Sequence, residues 1–539
     1  MSASFSSAQE SAAQGVEGGS TQSVQAPHPH RWWALAVLAC GIVILAVDMT
    51  VLNFALPAIS RDLQPSGTQL LWIIDIYAFA LASLLITMGT LGDRIGRRKL
   101  LLIGIAGFAV ASVIAAMATS SLMLIIARAL QGIFGATLMP STLSIIKAMF
   151  TDPKELSRAI AAWISCYSLG AIIGPVLGGW LLEHFHWGSV FLINVPVAAI
   201  IFIGGVFIIP ESVSRAPGRF DVVGAVLSIT ALFGLVGALK AVTAGLALWV
   251  SLGLLVVAIG LGVLFVAHLN NTQFPLVDVR LLRSSAYSTA VIVNLVSSFL
   301  LVGVMFYLTQ YLQVVLELSP VHAGLLLMPG MIVSMVFTVV TGELVSRVPA
   351  RRLLVIALLL TACGLSMHVI EAFGQWEAIP SGPLVNWWFG ASFMIIGAGV
   401  GMLDPVTNTI ILGAAPPEQS GAASALSETG YELGAAFGAA VLGAVLISVY
   451  SFNVVKHDFG VDASELSAIS SNVNNAHAFA ESLTPEAATQ VVSAANDAFV
   501  TGMGVTAAVA AALCVVAAVG VRLVLPNLGV HEMAESERH

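Results

Sequence analysis

Long apolar runs separated by short polar turns recur from residue 32 to residue 525. A membrane-spanning helix needs roughly 20 apolar residues in a row, and these runs reach that length. The strands of a β-barrel would instead alternate between apolar and polar residues. We therefore predict an all-α polytopic membrane protein of about 14 spanning helices. The predicted helices cover residues 33–59, 70–91, 100–118, 122–147, 159–182, 189–209, 222–242, 246–267, 287–316, 322–345, 353–372, 388–412, 424–450 and 498–525.

The composition excludes a soluble protein. Of the 539 residues, 58% are hydrophobic and 9% are charged, and the mean hydropathy is +0.96. Soluble domains carry about 25% charged residues, so this chain lacks the polar surface to stay dissolved. The four cysteines fall inside apolar runs, which indicates reduced packing residues rather than a disulfide framework or a metal site. No Gly-x-x-x-x-Gly-Lys-Ser/Thr stretch occurs, and we expect no nucleotide site, no metal, no cofactor and no enzymatic activity.

The basic residues predict the orientation. Most of the 21 Lys and Arg residues fall in every second polar segment, beginning before the first helix. Cytoplasmic loops carry such an excess, so both termini are expected in the cytoplasm. The most basic turn reads Gly-Thr-Leu-Gly-Asp-Arg-Ile-Gly-Arg-Arg-Lys over residues 89–99, where Asp93 can pair with Arg97 or Arg98. The candidate gating residues of this turn are Gly89, Asp93, Arg94, Gly96 and Arg97.

A degenerate copy of this turn occurs at residues 342–352, Gly-Glu-Leu-Val-Ser-Arg-Val-Pro-Ala-Arg-Arg. The two copies are eight predicted helices apart, whereas two six-helix halves would place them six apart. The surplus predicts a helix pair inserted between two parallel halves, as in duplicated transporter folds. The resulting domains are a disordered tail 1–31, a six-helix bundle 32–209, an inserted pair with its linkers 210–286, a second bundle 287–525 and a tail 526–539.

One long polar segment, residues 451–497, interrupts the second bundle on the predicted extracellular side. Ala and Leu recur in it at near-helical spacing, and Ser-Leu-Thr-Pro-Glu at 482–486 is typical of a helix start. We expect either a short helical hairpin over the outer mouth or a solvated connector.

Charged side chains inside the predicted helices need a reason, since a carboxylate in the hydrocarbon core costs several kcal/mol. The acids outnumber the single cation there. Some of them must therefore be protonated, hydrated or available for a cationic ligand. The candidate proton- or substrate-binding residues are Asp48, Asp75, Asp404, Glu428, Glu432 and Arg128.

Glu428 and Glu432 are four residues apart and share one helix face. Two carboxylates this close disfavour double ionisation, so one of them is expected to exchange a proton. Alternatively, Glu428 is hydrated at the start of its helix. Pro405 is expected to break the helix beside Asp404. Arg128 must contact carboxylates or carbonyls, either to tune an acid or as a static pair.

The fifth predicted helix carries glycines on one face together with a proline. Such a stripe permits close helix packing, and the proline weakens the local hydrogen-bond ladder, which suits a helix that bends while packed on a partner. The candidate gating residues here are Gly170, Gly174, Pro175, Gly178 and Gly179.

These motifs together resemble the fourteen-helix drug:proton antiporters of the major facilitator superfamily, which include quaternary-ammonium and dye exporters. Residues 48–57 resemble the family's first-helix motif and 89–99 its loop motif. Arg128 with Gln131-Gly132 is similar to its fourth-helix motif, and 170–179 to its antiporter motif. The resemblance extends to further positions, namely the acids Asp75, Glu428 and Glu432, and the long outer loop, whereas Ser346 and Pro349 depart from the second loop motif.

The resemblance implies a proton-coupled efflux antiporter of lipophilic cations in a bacterial inner membrane. Its partners would be cationic small molecules, protons and the lipid bilayer, with the proton gradient in place of a cofactor. We expect a monomer and no nucleic-acid partner. The alternatives are an exporter of an amino acid, siderophore or other metabolite, a proton-coupled importer, and a membrane sensor or scaffold.

Overall fold

The computed structural model describes residues 29–65, 67–212, 220–243, 248–273, 275–276, 281, 283–318, 320–374, 383–415, 420–457 and 459–526. All regular structure within these residues is helical, which confirms the predicted class. Residues 1–28 and 527–539 lie outside the described part, and so does nearly all of both predicted tails. Parts of the linkers around the inserted pair, including Arg215, Arg219 and Arg280, also lie outside it.

The helices before the second half begin with a long α1 and end with the inserted pair. Their bounds are α1 (Arg31–Leu63), α2 (Gly67–Ile95), α3 (Arg97–Ala116), α4 (Ser121–Gly135), α5 (Leu138–Met149), α6 (Pro153–His184), α7 (Ser189–Leu192), α8 (Asn194–Phe207), α9 (Val222–Thr243) and α10 (Leu248–Asn271).

The second half contains two single-turn π segments, π1 and π2, that continue α-helices. The bounds are α11 (Ser285–Gln310), π1 (Tyr311–Val315), α12 (Pro320–Leu344), α13 (Ala350–Phe373), α14 (Pro383–Ala414), α15 (Ser420–Phe437), π2 (Gly438–Leu442), α16 (Gly443–Val454), α17 (Ala463–Ser471), α18 (Val473–Ala480) and α19 (Pro485–Val524).

Thirteen helices of the described residues are long and apolar enough to span a membrane. The fourteenth predicted segment is helical as α9, but its apolar stretch is only Val222–Leu235. The count of fourteen therefore stays a prediction. Two predicted helices, 122–147 and 189–209, are each divided by a short break, into α4 with α5 and into α7 with α8.

Pro405 does not break its helix, so that prediction was wrong. α14 runs unbroken through it. A proline has no N–H to donate to the carbonyl four residues before it. Here the freed carbonyl of Gly401 accepts a hydrogen bond from Thr338 Oγ1 of α12, at 2.9 Å. A neighbouring hydroxyl thus satisfies the backbone, as membrane helices require.

The helices pack as two groups that meet along one seam. α1 packs on α6 and α2 on α4 in the first group, while α12 packs on α14 and α13 on α19 in the second. Across the seam, α2 packs on α15 and α6 on α12. The inserted helices α9 and α10 pack on each other, and α9 packs against the outside of α2. The division into two six-helix domains itself remains a prediction.

The described residues of segment 451–497 form a helical hairpin of α17 and α18, and its position over an outer mouth stays a prediction. α17 and α18 pack on each other and chiefly on α16 and α19 of the second group. Tyr450 donates its hydroxyl to the carbonyl of Ile469 at 2.9 Å. The last helix starts at Pro485, inside the predicted start motif, and continues unbroken into the final span.

Candidate functional site

One buried ion pair joins α1 to α4. Nη1 of Arg128 donates to Oδ2 of Asp48 at 2.6 Å, and the side chains of both residues are 1% exposed. The guanidinium lies 4.4 Å from the centre of the Tyr77 ring, which stabilises the cation through the ring face. Two predicted site residues thus neutralise each other.

Three polar side chains complete the shell of this pair. Gln131 and Asn194 donate to Oδ1 of Asp48 at 3.3 Å and 2.7 Å, and both contact Ser112 Oγ. The carboxylate therefore has a partner on each oxygen, which is what a buried charge requires. This cluster ties α1, α3, α4 and α8 together as a rigid unit.

A second site lies between the two groups of helices. It is a small cavity of about 50 Å³, lined by Ile42, Met139, Trp163, Ile164, Tyr167, Asn294, Asp404, Asn408, Glu428 and Tyr431. Most of these residues lie about ten positions from the nearer end of their helix, roughly 15 Å at 1.5 Å per residue. That depth is close to the middle of a hydrocarbon core of about 30 Å.

The chemistry of this cavity is acidic and aromatic. It contains two carboxyl groups, those of Asp404 and Glu428, and none of its lining residues is a Lys or Arg. Its volume holds only a few water molecules, whereas drug-sized ligands need a cavity of about 300 Å³ or more. The described conformation is therefore closed around the two acids.

A chain of amide and hydroxyl groups supports the acidic wall. Ser297 Oγ donates to Asp404 at 3.0 Å, and Ser427 Oγ donates to Oδ1 of Asn408 at 3.0 Å. Asn294 donates to Ser427 Oγ at 2.8 Å. These contacts connect α11, α14 and α15 directly behind the cavity.

The other two predicted acids lie outside the cavity lining. Glu432 is half-buried one helical turn beyond Glu428 on α15. Asp75 is half-buried on α2 in the first group. The structure thus brings Asp404 and Glu428 together in the cavity wall, pairs Asp48 with Arg128, and places Glu432 and Asp75 outside the cavity lining.

The Gly89–Lys99 turn closes one end of the seam, which we call the basic end. Asp93 pairs with Arg97 at 2.8 Å, as predicted. Its Oδ2 also accepts backbone N–H groups of Gly421 and Ala422, at 3.0 and 3.2 Å. These N–H groups are at the N-terminus of α15, where the helix dipole favours a negative charge.

Close backbone approach makes this contact possible. A Cβ on Gly89 would collide with the backbone of Gly421 and with Ala425. Gly96 has a φ of +110°, a conformation that favours glycine, and Arg94 lies 5.7 Å from the ring centre of Phe220. The predicted glycines of this turn are therefore needed for space and for backbone geometry.

Two further contacts cross the seam at the basic end. Lys147 of α5 donates to the carbonyl of Ala415 at 2.6 Å, just after the C-terminus of α14. Arg158 of α6 donates to Glu343 of α12 at 2.7 Å. Glu343 lies in the second copy of the turn, where Ser346 occupies the position that corresponds to Asp93. The pair of Arg158 and Glu343 therefore takes the place of the contact that Asp93 makes in the first copy.

The glycine stripe of α6 packs on α1, as predicted. Gly170 faces Val43 and Ala46, while Gly174 faces Thr50. Gly178 faces Val51, whereas Gly179 points into open space. The side chain of Pro175 lies outside the described residues.

Sequence reasoning missed the asparagine side chains of the cavity and of the Asp48 cluster. Asn294 and Asn408 line the cavity, and Asn194 contacts Asp48. A single amide in an apolar run shows no periodicity or spacing that would single it out. The only available signal was that a buried polar side chain needs a partner.

Comparisons with known proteins agree with this architecture. The family model described as Major Facilitator Superfamily matches residues 38–439. The Multidrug efflux pump LfrA of Mycolicibacterium smegmatis is 41% identical, covering 93% of this chain and 97% of its own. The Methyl viologen resistance protein SmvA of Salmonella typhimurium is 34% identical, covering 91% and 97%.

Solved structures show the same fold at low identity. The proton:xylose symporter XylE superposes with a TM-score of 0.60 at 14% identity, covering 95% of this chain and 99% of its own. The human organic anion transporter MFSD10 superposes with a TM-score of 0.57 at 15% identity, covering 90% and 100%.

Proposed function

The chain belongs to the major facilitator superfamily, and we propose that it is a proton-coupled antiporter that exports lipophilic cations, such as quaternary ammonium compounds and dyes, by alternating access. Members of this family are transporters, and this one is a multi-pass protein of a bacterial inner membrane. The two relatives above are named for multidrug efflux and for methyl viologen resistance, which supports export of drugs.

The observation that carries the proposal is the closed cavity with Asp404 and Glu428 in its wall. Without a basic residue among its lining, the cavity attracts cations and protons and disfavours anions. The rings of Trp163, Tyr167 and Tyr431 add surfaces on which a flat or lipophilic cation stacks. A cation and a proton therefore compete for the same negative charge.

This competition gives the exchange cycle. When the cavity opens to the cytoplasm, an ionised carboxyl attracts a cation, whose charge it neutralises. When the groups rock and the cavity opens to the other side, a proton from the more acidic medium protonates the carboxyl and the cation leaves. The contacts of Asp93, Lys147 and Arg158 hold the basic end shut while the far end is accessible.

Proteoliposomes with an acidic interior test the proposal. Adding ethidium or a quaternary ammonium compound to the wild-type protein should dissipate the pH gradient. Glu428→Gln, which keeps the shape of the side chain but cannot ionise, should abolish this coupling. Glu481→Gln in the exposed hairpin removes the same charge elsewhere and should transport normally.

Co-movement of proton and substrate in one direction would identify an importer and reject antiport. A metabolite exporter would instead respond to an amino acid or siderophore and ignore ethidium. Full coupling in Glu428→Gln would remove that carboxyl from the mechanism, and the same measurement on Glu432→Gln tests the neighbouring acid.

A further inference from the structure

Asn294 on α11 carries a buried hydrogen-bond acceptor that has no donor. The residue is 2% exposed and lines the cavity between the two groups of helices. Its Oδ1 atom is buried and has no hydrogen-bond partner in the described residues. A buried amide oxygen without a donor costs about 1–3 kcal/mol, so its place in a transport cavity calls for an explanation.

The orientation of this amide is fixed. Its nitrogen donates to the backbone oxygen of Ser427 at 3.0 Å and to the side-chain oxygen at 2.8 Å. A flipped amide would place its oxygen against that backbone carbonyl, which can only accept. Ser427 is itself fixed, because its hydroxyl donates to Oδ1 of Asn408 at 3.0 Å. The free atom of Asn294 is therefore the oxygen.

The cavity supplies one type of donor that appears only in one state of the transporter. An ionised carboxylate accepts hydrogen bonds and has none to donate, whereas a protonated carboxyl has one O–H. Glu428 lines the same small cavity and directly follows Ser427 in the chain, the residue that holds Asn294. Both groups line a space that holds only a few water molecules, and this shared small cavity is the basis for placing the Glu428 proton near Asn294.

We propose that Asn294 is a positioning residue that accepts the hydrogen bond of Glu428 when that carboxyl carries its proton. The inference rests on the proposed function, since it assigns the proton of the exchange cycle to this carboxyl. The proton comes from the aqueous side that the cavity faces, bonds to the Glu428 carboxylate and is shared with Oδ1 of Asn294. On release it returns to water and leaves the carboxylate beside a second acceptor.

This arrangement favours the proton-loaded state over the ionised state without a ligand. A carboxylate and an amide oxygen that share a small cavity repel each other, and a cation or a proton relieves that repulsion. Asn294 therefore makes an empty, ionised cavity unfavourable, which reduces return of the transporter with neither cation nor proton bound. A purely structural amide would influence both protonation states equally.

Equilibrium binding of tetraphenylphosphonium to the purified protein, measured across a pH series, tests the proposal without turnover. In the wild type, affinity should fall as acid protonates the cavity. Asn294→Leu removes the acceptor, so protonation becomes harder and the midpoint should move to lower pH by about 0.5–1 unit, the three- to tenfold change expected for one hydrogen bond. Asn294→Ser, whose shorter side chain withdraws from the cavity, should shift it in the same direction.

Thr361→Val is the control. It removes a buried hydroxyl on α13 that donates to the carbonyl of Ala357 and does not line the cavity, so the midpoint should stay in place. An equal shift in Thr361→Val would assign the effect to packing and overturn the proposal. So would an unchanged midpoint in both Asn294 variants.

The Glu428→Gln background identifies the carboxyl involved. There the pH dependence should be much reduced, and adding Asn294→Leu should not shift it further. A further shift would place the proton on another acid and overturn the assignment. If the wild type binds the cation without pH dependence, both the proposed function and the inference fail. If binding to the wild type depends on pH and Asn294→Leu has the same midpoint, only the inference fails.

Discussion

Asp48 and Arg128 are held where neither side chain contacts water. The attraction between two such charges offsets the loss of hydration only if the remaining donors and acceptors are satisfied. Gln131 and Asn194 satisfy the second oxygen of the carboxylate, and Tyr77 covers the guanidinium. The pair therefore fixes the relative position of α1 and α4.

Removing one charge of this pair tests that interpretation. Arg128→Leu leaves the carboxylate buried without its cation, and we expect a loss of about 3–5 kcal/mol in the free energy of unfolding. Asp48→Leu combined with Arg128→Leu removes both charges and should recover most of that loss. Chemical unfolding in detergent, followed by circular dichroism, measures both. A double variant as unstable as the single one would show that the pairing does not carry the stability.

Helix ends in this protein are controlled by local side chains. Asp152 precedes α6 and accepts backbone N–H groups of Lys154 and Glu155, at 2.7 and 3.3 Å, with Pro153 at the first helical position. These hydrogen bonds to the ionised form hold the pKa of the Asp152 carboxyl below its ordinary value. The cap fixes the start of the helix that carries both Arg158 and the glycine stripe.

The sign of the pH dependence follows from that lowered pKa. The stabilisation by Asp152 is present above the ordinary aspartate pKa of about 3.9, and it is lost as the pH falls through the lower value of the folded state. Hydrogen-exchange protection of the first turn of α6, corrected for the intrinsic rate, should therefore fall on acidification. Asp152→Ser caps without titrating and should remove this dependence. An unchanged dependence in that variant would assign the effect to another group.

The two groups of helices are held together at the basic end and enclose the acids near the middle of the membrane. The tightest contact there joins α2 to α15, through the glycine backbones and the carboxylate of Asp93. α9 packs against α2, and Thr90 of α2 donates to the carbonyl of Leu276 in the segment after α10. The inserted segment therefore contacts α2, a helix that must move when the basic end opens.

Asp93→Asn should loosen this end. It removes charge-assisted hydrogen bonds worth roughly 1.5–3 kcal/mol, which corresponds to about a 10- to 150-fold shift in population toward the state open at the basic end. Spin labels replace the exposed Lys99 and Arg352, one in each group of helices. Double electron–electron resonance measures the opening as an increase in the distance between the two labels. Asp62→Asn, at the opposite end, should leave the distance distribution unchanged. A wild-type distribution in Asp93→Asn would contradict the role of the contact.

Hydropathy along the chain predicted the membrane class, the helical architecture and most spans. This was possible because the ability of a helix to span a membrane depends on the apolar residues within that helix. Local chemistry was also sufficient for the tight turn at 89–99, the pairing of Asp93 with Arg97 and the glycine face of α6. Local reasoning misjudged Pro405, because the hydroxyl group that donates to the freed backbone carbonyl of Gly401 belongs to Thr338 on another helix.

The use of each buried acid was decided by tertiary packing alone. Asp48 and Asp404 look alike in the sequence, each a single carboxylate in an apolar run. Asp48 meets Arg128, 80 residues away, and is neutralised, whereas Asp404 accepts a hydrogen bond from the hydroxyl of Ser297 and faces a cavity. Partners that distant along the chain leave no local pattern, because only the folded arrangement of helices determines which charges are paired and which remain available for a proton.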